Sequence, residues 1–247
     1  MDLGISGKRA VVAGASSGLG LAAARALVAE GARVAIGSRT AERIEAAAAE
    51  LGGGTVPLVG DVGTPEGATA FADAAADALG GIDILVTNAG GPPAGTFAST
   101  PLDAYPAALD LNLLSVVALC KATVPAMQAQ RWGRVVAITS VAVKQPIPTL
   151  ILSNTARAGA TGFLKTLALE VAADGVTVNS VLPGYHRTDR LVALDHDLDA
   201  VAASVPAGTI GDPDDFGAVV AFLCSAQAGY LTGAAVPVDG GSARGLL

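Results

Sequence analysis

The chain has 247 residues, of which 51% are hydrophobic and 15% are charged, and its formal net charge at pH 7 is −7. This length and apolar content allow one large buried core, whereas the acidic balance argues against nucleic-acid binding, which needs clustered lysine and arginine. Cys120 and Cys224 lie in apolar helical patterns and are interpreted as buried hydrophobic residues, and neither the cysteines nor the two histidines have the spacing of a metal site.

Short apolar runs alternate with longer amphipathic runs along the whole chain. The predicted strands are Arg9–Ala13, Arg33–Gly37, Val56–Val59, Ile82–Thr87, Arg134–Thr139, Val176–Leu182 and Ala235–Val238. The predicted helices are Gly18–Glu30, Ala41–Leu51, Pro65–Leu79, Leu102–Gln130 (in one or two pieces), Leu152–Ala173 and Asp212–Ser225. This alternation predicts a single α/β domain over residues 1–247, with a doubly wound, mostly parallel sheet of about seven strands and helices on both faces.

One long irregular stretch, Tyr185–Gly211, follows the sixth predicted strand. Loops of this length in compact domains are usually lids or binding loops, so we predict a substrate lid here. Its two histidines, His186 and His196, are interpreted as solvated or packing residues rather than catalysts. Its Ala, Val and Leu side chains suit a small-molecule substrate with apolar parts.

The N-terminus and the apolar segments predict neither export nor membrane insertion. Residues 1–9 run directly into a strand and lack a hydrophobic region followed by a cleavage site. The charge-free stretch Ile84–Leu102 contains glycines and prolines between residues 90 and 95, which would break a spanning helix. The expectation is a cytoplasmic protein with no membrane partner.

A glycine-rich turn joins the first predicted strand to the first predicted helix. Gly14, Gly18 and Gly20 follow the spacing Gly-x-x-x-Gly-x-Gly. One glycine allows the tight turn, a second lets the backbone approach a pyrophosphate, and a third lets the helix pack on the strand. The helix N-terminus offers N–H groups and a positive dipole end to phosphates. Such a turn alone can be an ordinary connection, but its place within a βαβ unit favours dinucleotide binding.

Further motifs follow this turn in a fixed order, and together they resemble the short-chain dehydrogenase/reductase family over essentially the whole chain. These motifs are Asp61-Val62, Asn88-Ala89-Gly90, Asn112, Ser140, Pro183-Gly184 with Thr188, Tyr230–Gly233 and Val238–Gly241. The resemblance implies a Rossmann-type fold and a nicotinamide cofactor. It implies cofactor contacts from Gly14, Ser16, Ser17, Gly18, Leu19, Gly20, Asp61, Val62, Asn88, Ala89, Gly90, Pro183, Gly184 and Thr188. It also implies a catalytic region that includes Asn112, with Ser140 donating a hydrogen bond to a substrate carbonyl.

The end of the second predicted strand distinguishes the two nicotinamide cofactors. An acidic residue there accepts hydrogen bonds from the ribose 2′-hydroxyl of NAD and repels the 2′-phosphate of NADP. The segment Ile36–Thr40 contains no acid; it contains Ser38, which can donate a hydrogen bond, and Arg39, which can pair with a phosphate. We therefore predict that NADP(H) is preferred over NAD(H), although Arg39 could also be a solvated turn residue.

The sequence departs from the family at its catalytic pair. Family members carry Tyr-x-x-x-Lys at the start of the helix after the fifth strand, whereas this chain has Ser153 and Arg157 in those positions. A tyrosine with a reference pKa of about 10 can be tuned by a neighbouring cation, but a serine hydroxyl is a much weaker acid and arginine stays protonated. Because the two residues are one helical turn apart, Arg157 is expected to anchor the cofactor ribose beside Ser153.

Two further residues are candidates for the missing proton donor. Lys144, in the loop after Ser140, could stabilise a developing alkoxide or donate a proton, or it could be a solvated loop lysine. Tyr185, directly after Pro183-Gly184, could act as an acid or could be a lid residue that packs on the nicotinamide.

These observations leave three hypotheses for function. The first is an NAD(P)H-dependent oxidoreductase that reduces a ketone or oxidises a secondary alcohol by hydride transfer. The second is a cofactor-binding protein of the same fold without dehydrogenase activity, and the third is an elimination or epimerisation with Lys144 as base. Family resemblance also implies a homo-oligomer, a tetramer or a dimer, in which the helices predicted at Leu102–Gln130 and Leu152–Ala173 pair across a two-fold axis.

Overall fold

The computed structural model of the chain describes residues 2–193 and 197–246, without the side chains of residues 190 and 193. Its centre is a seven-stranded parallel sheet in the order β3-β2-β1-β4-β5-β6-β7. The strands are β1 (Arg9–Val12), β2 (Arg33–Ser38), β3 (Val56–Val59), β4 (Ile84–Thr87), β5 (Gly133–Ile138), β6 (Val176–Pro183) and β7 (Ala235–Val238). From β1 the chain first adds strands on one side of the sheet, through β2 to β3, and then adds β4 to β7 on the other side. In sheets of this kind, ligands bind at the carboxyl ends of the strands where the order switches, here between β1 and β4.

Helices cover both faces of the sheet, which confirms the predicted doubly wound single domain. They are α1 (Gly18–Ala29), α2 (Ala41–Leu51), α3 (Pro65–Leu79), α4 (Tyr105–Leu109), α5 (Ser115–Ala129), α6 (Ile151–Val171), α7 (Asp189–Ala193), α8 (Leu198–Ser204) and α9 (Pro213–Leu223). Buried side chains form one core between the sheet and α1, α2 and α9, and a second core between the sheet and α3, α5 and α6. Cys120 and Cys224 are buried in these cores, as predicted.

The segment predicted as a helix at Leu102–Gln130 is broken more finely than the sequence indicated. A 3₁₀ turn at Leu102–Ala104 precedes α4, and one π-helical turn, Asp110–Leu114, separates α4 from α5. By length and composition Leu102–Ala129 could cross a membrane. Packing within the protein explains its apolar composition, because Leu119, Val124 and Met127 on its inner face are buried in the second core.

The prediction of an irregular stretch at Tyr185–Gly211 was wrong in part. Two short helices, α7 and α8, lie within it. Asp197 forms the N-cap of α8, since its carboxylate accepts hydrogen bonds from the backbone N–H groups of Asp199 and Ala200. This cap was overlooked because the apolar pattern after it is less than two turns long. His196 lies outside the described residues.

An ion pair between Arg9 and Asp83 stabilises the amino edge of the sheet, at the end opposite the glycine-rich turn. The guanidinium of Arg9 donates two hydrogen bonds to the carboxylate of Asp83, from Nε to Oδ2 at 2.9 Å and from Nη2 to Oδ1 at 2.6 Å. Burial raises the pKa of Asp83, but the hydrogen bonds from Arg9 and Gln130 outweigh this effect, so the pKa lies below its usual value. The two charges therefore stabilise the folded protein at neutral pH, and this edge is structural.

Candidate active site

The glycine-rich turn lies at the carboxyl end of β1, and its three glycines have different roles. Gly14 and Gly18 both have φ of 59°, which a residue with a side chain adopts only with strain. Gly20 needs its missing side chain for space, because a Cβ there would collide with the carbonyl oxygen of Gly14 and lie 2.7 Å from Nδ2 of Asn88. Nδ2 of Asn88 donates a hydrogen bond of 2.8 Å to that same carbonyl oxygen. The turn is thus locked to the end of β4.

The N-terminus of α1 is open for an anion. Ser17 occupies the N-cap, but its side chain accepts no hydrogen bond from the helix backbone. The N–H groups of the first turn therefore lack the usual cap and can bind a phosphate, assisted by the helix dipole. Thr188 lies near the start of the segment predicted to be a lid, residues 185–211, which is called the lid below. It faces this turn, with Cγ2 3.5 Å from where a Cβ of Gly18 would lie. The structure thus brings together two motifs that are 170 positions apart in the sequence.

A pair of arginines lies beside this turn. Ser38 ends β2, and the exposed Arg39 follows it. Arg43, in the first turn of α2, donates a hydrogen bond from Nη2 to Oγ of Ser17 at 3.3 Å. Sequence reasoning missed Arg43, which no motif marks and which the turn into α2 brings next to Ser17. Asp61, which follows β3 on the same side, is exposed, and its carboxylate accepts a hydrogen bond from the backbone of Gly63 at 2.9 Å.

The Ser153–Arg157 pair forms one buried hydrogen-bonded unit. Nε of Arg157 donates to Oγ of Ser153 at 3.2 Å, and Nη1 donates to the carbonyl oxygens of Thr139 at 2.8 Å and Ile138 at 3.3 Å. Both side chains are more than nine-tenths buried. Arg157 therefore ties the start of α6 to the end of β5, directly before Ser140. Oγ of Ser140 accepts a hydrogen bond of 3.1 Å from the backbone N–H of Ala142.

A small pocket with apolar and polar lining residues lies between Asn88, which bonds to the glycine-rich turn, and Arg157. Nδ2 of Asn112, in the π-helical turn, donates to the carbonyl oxygen of Gly90 at 3.0 Å. Asn112 lines the pocket together with Val62, Thr87, Asn88, Ala89 and Arg157. Within the described part of the chain, Oδ1 of Asn112 and Oγ1 of Thr87 are buried and have no hydrogen-bond partner. Buried oxygens of this kind normally bind water or a ligand, and a pocket of this size has room for a small polar guest such as one water molecule.

The other two candidate proton donors lie apart from this unit. Lys144 ends a 3₁₀ turn after Ser140 and is exposed. Tyr185 is 44% exposed and lines a different cavity, between the lid and α9. Gly184 beside it donates from its backbone N–H to the carbonyl oxygen of Val238 at 3.0 Å, which joins the start of the lid to β7.

The shape of the carboxyl edge fits a dinucleotide. The uncapped N-terminus of α1 can bind a pyrophosphate. Gly14, Gly18 and Gly20 leave the turn without side chains where a pyrophosphate would approach it. The buried oxygens of Asn112 and Thr87 indicate a polar guest nearby. The sequence profile of the enoyl-(acyl carrier protein) reductase family matches residues 14–243, which is most of the chain. The chain belongs to the short-chain dehydrogenase/reductase family.

Individual relatives of this short-chain dehydrogenase/reductase support the assignment. It is 39% identical over 241 residues to the 3-oxoacyl-acyl-carrier-protein reductase of Vibrio cholerae, covering 97% of this chain and 98% of that protein. It is 34% identical over 245 residues to dehydrogenase/reductase SDR family member 4 of Bos taurus, covering 96% and 88%. Its fold matches L-sorbose reductase from Gluconobacter frateurii, solved with NADPH and L-sorbose, with a TM-score of 0.93, 33% identity and full coverage of both chains.

Family membership establishes the reaction class as NAD(P)H-dependent oxidoreduction between a ketone and a secondary alcohol. The structure brings Ser140, Ser153, Arg157 and Asn112 to the carboxyl ends of β4 and β5, next to the glycine-rich turn. It leaves Lys144 in solvent. The site therefore has the architecture of a short-chain dehydrogenase/reductase, and Ser153 and Arg157 form a buried hydrogen-bonded pair within it.

Proposed function

We propose that this protein is an NADPH-dependent ketone reductase in which two serine hydroxyls and one arginine replace the tyrosine–lysine pair. The observation that carries the proposal is the state of the two serine oxygens. Oγ of Ser140 accepts from the backbone of Ala142, and Oγ of Ser153 accepts from Arg157. Because each oxygen already accepts an N–H, each hydroxyl hydrogen can be donated to a substrate oxygen.

The proposed chemistry follows from this arrangement. When bound, the reduced nicotinamide supplies the hydride. Ser140 and Ser153 orient the ketone oxygen and stabilise the negative charge that develops on it. The proton comes from Oγ of Ser153, and the charged N–H of Arg157 stabilises the negative charge left on this oxygen until solvent restores the proton. Two carbonyl oxygens and Ser153 hold the guanidinium of Arg157 in place, and its N–H groups act as charged donors rather than as a source of the proton.

The arginine pair beside the glycine-rich turn supports NADPH as the preferred cofactor. No acidic residue stands at the end of β2, so the usual selection against a 2′-phosphate is missing. Arg39 supplies one cation, and Arg43 a second whose position is set by its hydrogen bond to Ser17. Ser38, at the end of β2, adds a hydroxyl beside Arg39. A phosphate near these three side chains would be bound by charge and by hydrogen bonds.

The test of the proposal is titration of the purified protein with NADPH and NADH by fluorescence, followed by absorbance assays with a panel of ketones. We expect tighter binding of NADPH and its oxidation by at least one ketone with apolar parts. Tight binding without turnover of any ketone or alcohol would instead favour the cofactor-binding hypothesis. Turnover that leaves the reduced nicotinamide unchanged would favour elimination or epimerisation by Lys144.

Replacing both arginines is expected to remove the preference for NADPH. In the Arg39→Ala/Arg43→Ala protein, the dissociation constant of NADPH should rise by about 10²-fold, which corresponds to two charge-assisted contacts, while that of NADH changes little. Arg33→Ala is the matched control, because this exposed arginine lies at the opposite end of β2, about 20 Å from Arg39. Equal weakening of both cofactors would contradict the assignment of these residues to the 2′-phosphate.

We also propose a soluble, cytoplasmic homo-oligomer, a dimer or a tetramer. Leu102 and Leu169 lie on the segments expected to pair, and their side chains are 85% and 73% exposed in the single chain. Light scattering of the purified protein should give the mass of two or four chains, and Leu169→Asp should lower that mass. A monomeric peak for the unmodified protein would contradict this expectation.

A further inference from the structure

The lid is closed at its base by backbone pairing between its two ends. The backbone N–H of Gly211 donates to the carbonyl oxygen of Tyr185, and the N–H of Arg187 donates to the carbonyl oxygen of Gly211, both at 2.9 Å. These two bonds form an isolated parallel bridge between His186 and Gly211. All of the lid that the structure describes, including α7 and α8, lies between these two points.

The imidazole ring of His186 occupies the space where a side chain of residue 211 would lie. A Cβ on Gly211 would come 2.8 Å from Cδ2 and 2.9 Å from Nε2 of this ring. The ring is in edge contact with Phe216 of α9, with centroids 5.0 Å apart, and its Nδ1 lies 3.3 Å from the carbonyl oxygen of Gly184. His186 is only 6% exposed. It is thus a packing residue, which is one of the two roles expected from sequence.

The base of the lid sets the position of Thr188. The backbone N–H of Thr188 donates to the carbonyl oxygen of His186 at 2.8 Å. Thr188 then faces Gly18 in the turn that would bind the pyrophosphate. A shift of the pairing between His186 and Gly211 would therefore move Thr188 away from the cofactor site.

We propose that His186 is a positioning residue whose ring, packed on Gly211 and Phe216, clamps the two ends of the lid and holds Thr188 against the cofactor-binding turn. This inference rests on the proposed cofactor site for its effect on NADPH, but the clamp itself is a property of the protein alone. Cofactor affinity thereby depends on a side chain that does not itself face the glycine-rich turn.

The surroundings of the ring favour its neutral form. Burial lowers the pKa of His186, and the hydrogen bond to Gly184 and the nearby carboxylate of Asp212 oppose this effect only in part. Of the described residues, the titratable groups around the same cavity are Asp212 and Asp215 from α9, Asp239 after β7, and Tyr185. Since the open lid would return the imidazole to water, protonation favours opening. The lid should therefore loosen as the pH falls below the usual histidine pKa of about 6.5.

The experiment measures hydrogen exchange of residues 185–211 in the cofactor-free protein and compares His186→Ala, Gly211→Ala and the double variant. Each single change should speed exchange in this segment about tenfold, by removing the packing or by forcing the ring aside. In the double variant the new methyl of residue 211 occupies space that the missing ring of residue 186 has vacated. The double variant should therefore exchange more slowly than Gly211→Ala. Unchanged exchange in both single variants, equal changes along the whole chain, or strictly additive effects would overturn the clamp.

Two further readouts separate positioning from simple stability. His186→Phe keeps a packed ring and should retain slow lid exchange, and it should abolish the loosening of the lid below pH 6.5; a pH response equal to that of the unmodified protein would overturn the role of His186. The dissociation constant of NADPH should rise about tenfold in both single variants and recover in His186→Phe. Faster lid exchange without weaker NADPH binding would overturn the link to the cofactor. If the unmodified protein bound no NADPH, the proposed function would fail while the exchange data still decided the clamp.

Discussion

Ser153→Ala is expected to lower kcat for ketone reduction by about 10²-fold or more, which is the usual contribution of a positioned general acid. The change removes the hydroxyl whose oxygen accepts the Nε–H of Arg157 and whose hydrogen is available to the substrate. The two bonds from Arg157 to the end of β5 do not involve Ser153 and should remain. The dissociation constant of NADPH should therefore change little, whereas the thermal midpoint should fall because the buried Nε–H of Arg157 loses its acceptor. Stopped-flow kinetics, fluorescence titration and calorimetry can measure all three on one preparation.

Thr155→Ala is the matched control for this experiment. Thr155 lies two positions further along α6, is exposed, and donates its hydroxyl to the helix carbonyl of Ile151. Removal of this second hydroxyl should leave kcat unchanged. If Ser153→Ala kept full activity, the proton would have to come from another group. Lys144→Met and Tyr185→Phe would then be the variants to compare, since both remain candidates from the sequence.

The fold could be predicted from the sequence because its elements carry independent signals. The bounds of β3, α2, α3 and β7 agree with the periodicity and the flanking glycine and proline residues. Elements without such local signals were missed or simplified. The π-helical turn at Asp110–Leu114 has no residue type that marks it, and the short α8 has an aspartate cap but no buried residue to give it an apolar pattern. Tertiary packing, rather than propensity, decides such pieces.

The parts of the candidate site that lie in contiguous sequence motifs could be predicted. The glycine spacing and the end of β2 could be interpreted from single segments, because the strand edge brings them together in any sheet of this order. The helical spacing of Ser153 and Arg157 predicted that their side chains face the same way, but the hydrogen bond between them is a finding of the structure. The contacts of Arg157 with β5, of Arg43 with Ser17, and of His186 with Gly211 join segments that share no pattern. Only the folded chain shows them.

Gly20→Ala is expected to weaken NADPH binding by at least about 10²-fold. The added Cβ would collide with the carbonyl oxygen of Gly14 and crowd Nδ2 of Asn88, which are the two groups that fix the turn. The carbonyl of Gly14 is main chain, and Nδ2 of Asn88 donates the hydrogen bond that locks the turn to the end of β4. Neither group can therefore move aside without moving the backbone of the turn. Overpacking of this kind typically costs about 1–3 kcal/mol, and the displaced turn would also move the first N–H groups of α1 from the pyrophosphate.

Gly162→Ala separates this local effect from the general effect of adding a methyl to a helix. Gly162 lies within α6, and a Cβ there would have no heavy atom within 4 Å. Alanine should therefore stabilise the fold by up to about 1 kcal/mol through helix propensity and leave NADPH affinity unchanged. The unfolding midpoint should fall in Gly20→Ala and rise in Gly162→Ala, whereas the dissociation constant of NADPH should rise in Gly20→Ala alone. NADPH binding that survived Gly20→Ala would mean that the turn yields without loss of its shape, and the close contact between Gly14, Gly20 and Asn88 would then not be what builds the phosphate site.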